Sequence, residues 1–395
     1  MFDFQEEQCK RYKSEYGKFI KSREVESYKK LSKDIGYKSQ IASLVYCGGA
    51  YKNTHATSSQ GQDVPKDNPA KDIITKENSP TGNPSIDNLA PANLARNNSA
   101  KGESVFLLIP SIFNSPEILF LGDKNSFTKN LSTKNNLYLA SWSQQTAIQL
   151  TMENYVNEVQ KMISFLHSLG HKKINLIGHC IGGNMCLAAS SLQGINQSAE
   201  QSANQDAGQI ESLTLLTCPW DYSHFKKWVY LYDIMGFDTH LKGINFIPKI
   251  YIQMMFFLMF PFQFKEKLEK YFALEQAHEK QSFLQIEAWL QSGNIISKSI
   301  YAEIMQDFCR KNILQNNEWL IGGELITPEK LDIPTCIIYA KDDQIAPHSS
   351  IAPLQKRIKS STLIETEGGH IGYLVKGCAY LQTKYNEWIV ENNLR

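Results

Sequence analysis

Ile174-Asn175-Leu176-Ile177-Gly178-His179-Cys180-Ile181-Gly182-Gly183-Asn184 is the stretch on which the reading of this chain turns. A short apolar run ends in Gly-x-Cys-x-Gly, and small, helix-compatible residues (Met185, Cys186, Leu187, Ala188, Ala189) follow at once. That order predicts a strand, a sharp turn and a helix. Glycines on both sides of Cys180 suit a tight turn and let the start of the helix lie close to the strand. The apex side chain is then driven out of the backbone, above the carboxyl end of the strand. Cys180 is therefore the candidate nucleophile. His179, the variable residue inside the motif, receives no role from the pattern.

Further out, short apolar runs at residues 105–109, 137–141, 174–177, 213–217, 336–340 and 362–365 read as fully buried strands. Between the second and third, Met152, Tyr155, Val156, Val159, Met162, Ile163, Leu166 and Leu169 recur at helical spacing, with Gly170 placed to end the helix. Residues 349–359 and 379–393 also read as helices. Strands alternating with helices imply a mainly parallel sheet with helices on both faces.

Two loops then complete a constellation. Lys341-Asp342-Asp343-Gln344-Ile345-Ala346-Pro347 follows one strand, and Glu367-Gly368-Gly369-His370-Ile371-Gly372 follows the next. Nucleophile, acid and histidine in the order Cys180, Asp343, His370, each just past a strand, is the chain order of the α/β-hydrolase fold. Asp342 borders the strand end and is the poorer acid. His348 is a rival histidine, but it opens a helix and is expected to face solvent.

In this reading Cys180 attacks a carbonyl as thiolate, and His370 accepts its proton. Asp343 fixes the tautomer of His370 and stabilises the imidazolium. The backbone N–H of Ile181 supplies one oxyanion donor, and that of Ile112, in the loop Pro110-Ser111-Ile112-Phe113, is assigned as the second. Cysteine in place of serine has a chemical consequence. Thiolate attack on a thioester exchanges like for like, so the acyl group stays activated for a further transfer. The residue type thus favours acyl transfer from a thioester over simple ester hydrolysis.

Composition sets the outer limits. The chain of 395 residues can bury a large core, and its net charge of +1 gives no basic face for nucleic acid. Eight cysteines are scattered without a Cys-x-x-Cys pair or zinc spacing, which predicts reduced thiols in a cytoplasmic protein. The first residues, Met1-Phe2-Asp3-Phe4-Gln5-Glu6-Glu7, lack the basic and apolar blocks of a signal peptide. The apolar run Met254-Met255-Phe256-Phe257-Leu258-Met259-Phe260 is bounded by Gln253 and Pro261 and is too short to span a bilayer, so no transmembrane segment is expected.

The predicted organisation follows. Residues 1–47 hold N-terminal helices and a first strand at 38–47. Residues 48–103, rich in Asn, Ser, Lys, Pro and Gly with Tyr51 the lone aromatic, read as a disordered low-complexity insertion. Residues 104–221 and 329–395 form the α/β core, with a second low-complexity piece at 194–209. Residues 222–328, rich in Phe, Tyr, Met and Leu, break the alternation and read as an inserted helical cap, with helical stretches at 283–290 and 300–311. Its aromatic content is ordinary cap core, and is also compatible with an apolar surface for a lipid-like chain.

Beyond these patterns, the chain resembles the polyhydroxyalkanoate synthase family. The resemblance rests on Gly178-His179-Cys180-Ile181-Gly182-Gly183, on 110–114 with Ile118-Leu119, and on Pro219-Trp220-Asp221-Tyr222. Glu287-Ala288-Trp289-Leu290, Asn312-Ile313-Leu314, Gly322-Gly323, Asp343-Gln344-Ile345-Ala346-Pro347 and Gly368-Gly369-His370-Ile371 extend it over residues 104 to 372. It departs from the family pattern at Phe120-Leu121, at Ser141 before Trp142, and at Gln344. The resemblance implies catalysis by Cys180, Asp343 and His370 on (R)-3-hydroxyacyl-CoA, a polyester product, release of CoA, and no metal or redox cofactor. In size the chain is nearer the forms that work with a second, non-catalytic synthase subunit, which is therefore an expected partner. A granule surface and a homodimer contact through the apolar cap are further expectations. A thiol-dependent hydrolase of the same fold, and a catalytically silent binder of granule or lipid surfaces, are the alternatives.

Overall fold

The strands form where apolar runs are long enough to be buried on both sides. In the computed structural model, residues 2–22, 33–39, 42–47, 104–121, 126–143, 149–199, 209–376 and 379–394 are described. The segment 48–103, expected to be an insertion, lies outside them. Helix α1 (Phe2–Ser22) precedes β1 (Lys33–Lys38), β2 (Ala42–Tyr46), β3 (Val105–Ile109) and β4 (Asn136–Trp142). Then come α2 (Met152–Ser168), β5 (Lys173–His179), α3 (Ile181–Ala199) and β6 (Gln209–Leu216). The cap region carries α4 (Lys226–Ile234), α5 (Lys249–Met259), α6 (Gln263–Ala273), α7 (Ala277–Ser292) and α8 (Lys298–Glu303). The chain returns with β7 (Thr335–Ala340), α9 (His348–Arg357), β8 (Ser361–Thr366) and α10 (Ala379–Glu391).

All eight strands make one sheet in the order β1-β2-β4-β3-β5-β6-β7-β8. β1 and β2 pair antiparallel, as do β2 and β4, and the remaining pairs are parallel. This mostly parallel sheet with helices around it is the α/β-hydrolase fold. Successive side chains of each strand enter different cores, as a period of two requires. Leu107, Ile109, Ile337 and Tyr339 pack with α2, α3 and the cap, whereas Phe106, Leu108, Ile338 and Ala340 pack with α10 and the segment around Tyr373.

The parallel registers bring the carboxyl ends of the central strands into a row. Ile109 pairs with Gly178, His179 with Leu216, Leu216 with Ile338, and Ala340 with Thr366. Every loop that follows one of these ends therefore opens on the same edge, where ligands bind in open α/β sheets.

Three local readings need correction. The single strand expected at 38–47 is a hairpin, with β1 an additional outer strand. Its Lys33, Asp34, Gly36 and Lys38 hide it from an apolar search, but an edge strand tolerates such residues. The expected helix at 300–311 is α8 followed by one wider π-helical turn, Ile304–Arg310, closed by Lys311 N–H donating to the Gln306 carbonyl at 3.1 Å. The low-complexity piece at 194–209 begins later than expected, because α3 continues through Ala199. Among the described residues no helix is long and apolar enough to cross a membrane. The apolar run of the cap forms α5, whose 11 residues extend only about 16 Å.

Candidate active site

Cys180 sits at the tip of a turn that its neighbours force. It has φ 55°, in the left-handed region, which costs a non-glycine residue roughly 1–3 kcal/mol. Two backbone bonds hold it there: Cys180 N–H donates to Leu216 O at 2.9 Å, and Gly183 N–H donates to Cys180 O at 2.8 Å. The flanking glycines are required by close approach. A Cβ on Gly178 would lie 2.4 Å from Gly183 Cα, and one on Gly182 would lie 2.5 Å from Ile109 O and 2.7 Å from Pro110 O. Helix α3 thus starts pressed against the end of β3, so Ile181 and the loop 110–112 share one corner of the site.

That loop is fixed through its carbonyls. Trp142 Nε1 donates to Pro110 O at 2.9 Å, Asn294 Nδ2 to Ile112 O at 3.0 Å, and Asn294 N–H to Phe113 O at 2.7 Å. Trp289 Nε1 donates to Ser115 O at 2.7 Å. Two of the three residues that hold the loop, Asn294 and Trp289, come from the cap. The N–H groups of Ile112 and Ile181 have no protein partner among the described residues, which leaves both available to an oxyanion.

The loops after β7 and β8 are joined to one another. Lys341 N–H donates to Thr366 O and Asp342 N–H to Gly368 O, at 2.9 and 3.0 Å. Asp343 is buried, and one carboxylate oxygen accepts the N–H groups of Ile345 and Ala346 at 2.8 Å each. The other meets His370 Nδ1 at 2.8 Å. Asp342 and His348 are exposed, the latter stacked on Tyr339. The structure thus pairs Asp343 and His370 and leaves both rivals outside the pair.

His370 also lies close enough to Cys180 for charge on the sulfur to act on its ring. Burial disfavours its charged form, but the negative charges of Asp343 and Cys180, with the hydrogen bond to Asp343, outweigh burial and raise its pKa to about 10. An imidazole so placed holds a proton between a thiol and a carboxylate. The arrangement suits nucleophilic attack by sulfur, proton uptake by His370 and charge support from Asp343.

Sequence reasoning missed two neighbours. His179 is buried, with its ring centroid 5.4 Å from that of His370. Tyr373 is buried behind the site, its hydroxyl 3.4 Å from Thr217 Oγ1, and burial pushes that hydroxyl's pKa well up. Tyr373 lay in an unremarkable apolar stretch, and only the return of the chain brings it to Cys180.

A cavity of about 260 Å³ separates the cap from the acid loop. Its walls include Phe225, Trp228, Met259, Phe260 and Ile345, with Lys227 also on its lining. Among the described residues no group of three or more His, Cys, Asp or Glu side chains could hold a metal ion.

No family model matches the chain. It is similar to curated proteins named poly(3-hydroxyalkanoate) polymerase subunit PhaC. The Haloferax mediterranei protein is 24% identical over 305 residues, covering 73% of this chain and 58% of that protein. The Haloarcula marismortui protein is 23% identical over 310 residues, 74% of this chain and 62% of that one, so the chain spans about three fifths of these two relatives. For the protein from Thiocystis violacea the figures are 23% over 304 residues, 73% and 81%. Among solved structures, MenH from S. aureus (11% identity, 75% of this chain and 96% of that one) superposes with a TM-score of 0.43.

Proposed function

We propose that this chain, a member of the polyhydroxyalkanoate synthase family in the α/β-hydrolase superfamily, polymerises (R)-3-hydroxyacyl units from their CoA thioesters through a covalent acyl-enzyme on Cys180. The observation that carries this reading is the strained elbow, which presents a thiol to a histidine paired with a buried carboxylate at 2.8 Å.

The steps balance as follows. With the proton already on His370, the Cys180 sulfur attacks the thioester carbonyl as thiolate to form a C–S bond. The oxyanion is received by the N–H groups of Ile181 and Ile112. Its collapse breaks the bond to CoA, whose sulfur leaves with the proton from His370. A hydroxyl of a growing chain or of another hydroxyacyl unit then gives its proton to His370 and attacks the acyl-enzyme. An ester forms, and the Cys180 thiol is restored. A thioester on Cys180 is close in energy to the one consumed, so the first step leaves enough driving force for the second. No metal or redox group takes part in these steps.

The apolar side chains Phe225, Trp228, Met259 and Phe260, which share the cavity beside the acid loop with His224, Lys227 and Gln344, support a substrate with an apolar arm. Exposed Tyr230, Ile234, Ile250, Phe257 and Phe262 on the cap support contact with a polyester granule in the cytoplasm, or with a second copy of the chain. The relatives' name calls each a polymerase subunit, and a second, non-catalytic subunit is part of the proposal. Native protein purified as a lone monomer with full activity would remove that partner.

Purified protein, alone and with co-expressed candidate subunits, should release CoA from (R)-3-hydroxybutyryl-CoA and accumulate polyester. Release of CoA with free acid alone would make the protein a thiol-dependent hydrolase. No release under any of these conditions would make it a binding protein. Cys180→Ala should abolish release, and activity retained in that variant overturns the nucleophile.

A further inference from the structure

The peptide that carries the Ile112 N–H belongs to the core, but part of what holds it does not. We infer that Asn294 is the positioning residue of this second oxyanion donor: from just past the end of α7 it grips the Ile112 carbonyl, so the oxyanion hole is complete only while the cap is seated on the core.

The peptide between Ser111 and Ile112 is bracketed. On one side Trp142, at the end of β4, donates to the Pro110 carbonyl at 2.9 Å. On the other, Asn294 Nδ2 donates to the Ile112 carbonyl at 3.0 Å, and the Asn294 N–H donates to the Phe113 carbonyl at 2.7 Å. The residue before Asn294 makes room for this approach, because a Cβ on Gly293 would lie 3.2 Å from Asn114 Oδ1. Ile112 and Asn294 are both buried, so a carbonyl deprived of this amide has little water to turn to.

Asn294 is itself held on both sides within the cap. Before it, Gln253 Nε2 donates to the Gln291 carbonyl at 2.9 Å, tying the end of α7 to α5, and Lys267 on α6 pairs with Glu287 on α7 at 2.9 Å. After it, Ile296 and Ser297 pair antiparallel with Ile247 and Phe246, and Ser297 Oγ donates to the Leu150 carbonyl at 2.7 Å. The chain through 294 therefore has a fixed course, and its amide is delivered to the loop as part of the cap. Ile181 needs none of this, since the start of α3 is pressed against the end of β3 by Gly182. One donor is thus placed by the core and the other by the cap. A displaced cap would leave a thiol able to react, but a tetrahedral oxyanion held by a single N–H.

The inference rests on Cys180 acting as the nucleophile, and its test is independent of polymer formation. Two reagents separate the thiol from the hole. Iodoacetamide alkylates sulfur by displacing iodide at a saturated carbon, with no oxyanion. p-Nitrophenyl butyrate acylates it through a tetrahedral oxyanion, the C–S bond forming before p-nitrophenolate leaves. Mass spectrometry of the Cys180 peptide reads both products, and the other described cysteines are buried. Asn294→Ala removes the donor, and Asn294→Asp keeps the size but turns an acceptor toward the Ile112 carbonyl. Each variant should be acylated about 10- to 100-fold more slowly, with alkylation within about twofold of wild type. A change of packing alone would slow both reactions together or spare both. Either result at a native Tm overturns the inference, as does a loss of acylation below about threefold in Asn294→Ala. If one variant does not fold, the other decides by the same ratio. Wild-type protein that p-nitrophenyl butyrate does not acylate at Cys180 overturns the inference at once, and if iodoacetamide also fails there the nucleophile falls with it. Wild-type protein that is acylated at Cys180 but forms no polyester would sink the synthase reading and leave this one standing.

Discussion

Replacing Asp343 by Asn removes one charge while keeping the size of the side chain, and the structure says what that charge does. It raises the His370 pKa from 6.5 to about 10, together with Cys180 and against the cost of burial. That displacement corresponds to about 5 kcal/mol in favour of the imidazolium. Asp343 is the larger of the two charge effects, so its loss should forfeit roughly 2–3 kcal/mol where the proton resides on His370, or about 30- to 150-fold in rate. An amide also can present N–H to Nδ1 and select the wrong tautomer, which brings the expected fall in kcat to about 10²–10⁴-fold. The assay is CoA release followed with a thiol reagent, across pH, beside Asp342→Asn as the exposed neighbour. The His370 pKa should fall toward 6.5, moving the limb of the profile that it controls to lower pH. A loss below about fivefold for Asp343→Asn, or a larger loss for Asp342→Asn, would refute the assignment and the electrostatic argument with it.

Two further outcomes follow from the same geometry. Gly182→Ala places a Cβ 2.5 Å from Ile109 O, a contact with backbone that no rotamer can relieve; a stability loss of about 1–3 kcal/mol is expected, with reduced CoA release because Ile181 and Ile112 move apart, and a wild-type Tm and rate would contradict the close packing. Thermal unfolding against pH should show two limbs of opposite sign. His179 binds its proton at 6.5 unfolded and at about 3 folded, so its contribution is complete above 6.5 and is lost as pH falls toward 3. His370, raised to about 10, contributes fully below 6.5, and that part is lost as pH rises through 10. His179→Phe should flatten the acid limb alone; an unchanged acid limb would mean that His179 is not buried neutral.

Much of this arrangement is legible in the sequence because strand ends and tight turns are local events. Gly178 and Gly182 announce that backbone comes close, and the chain reports it within five residues. Asp343 is legible for a similar reason: the loop Asp343 to Pro347 folds its own N–H groups onto the carboxylate, so acid and turn are written together. The hairpin of β1 and β2 is less legible. β1 is held by Tyr37 O–H and Ser39 O–H bonding Glu158, more than a hundred residues away on α2, and nothing near Lys33 records that partner.

His179 marks the boundary most sharply. Its neighbour Cys180 was found because a motif of five residues constrains it, yet 179 is the one position in that motif where the turn makes no demand. The demand comes from elsewhere. β5 and β8 lie three strands apart in the sheet, separated by β6 and β7, and only the loop after β8 folding back over the sheet edge carries the His370 ring to the ring at 179. A histidine there can be read only once that return is known, because the ring it packs against stands 191 positions later. Local pattern therefore brings out Cys180, Asp343 and His370, while the ring packed against His370 is specified by topology.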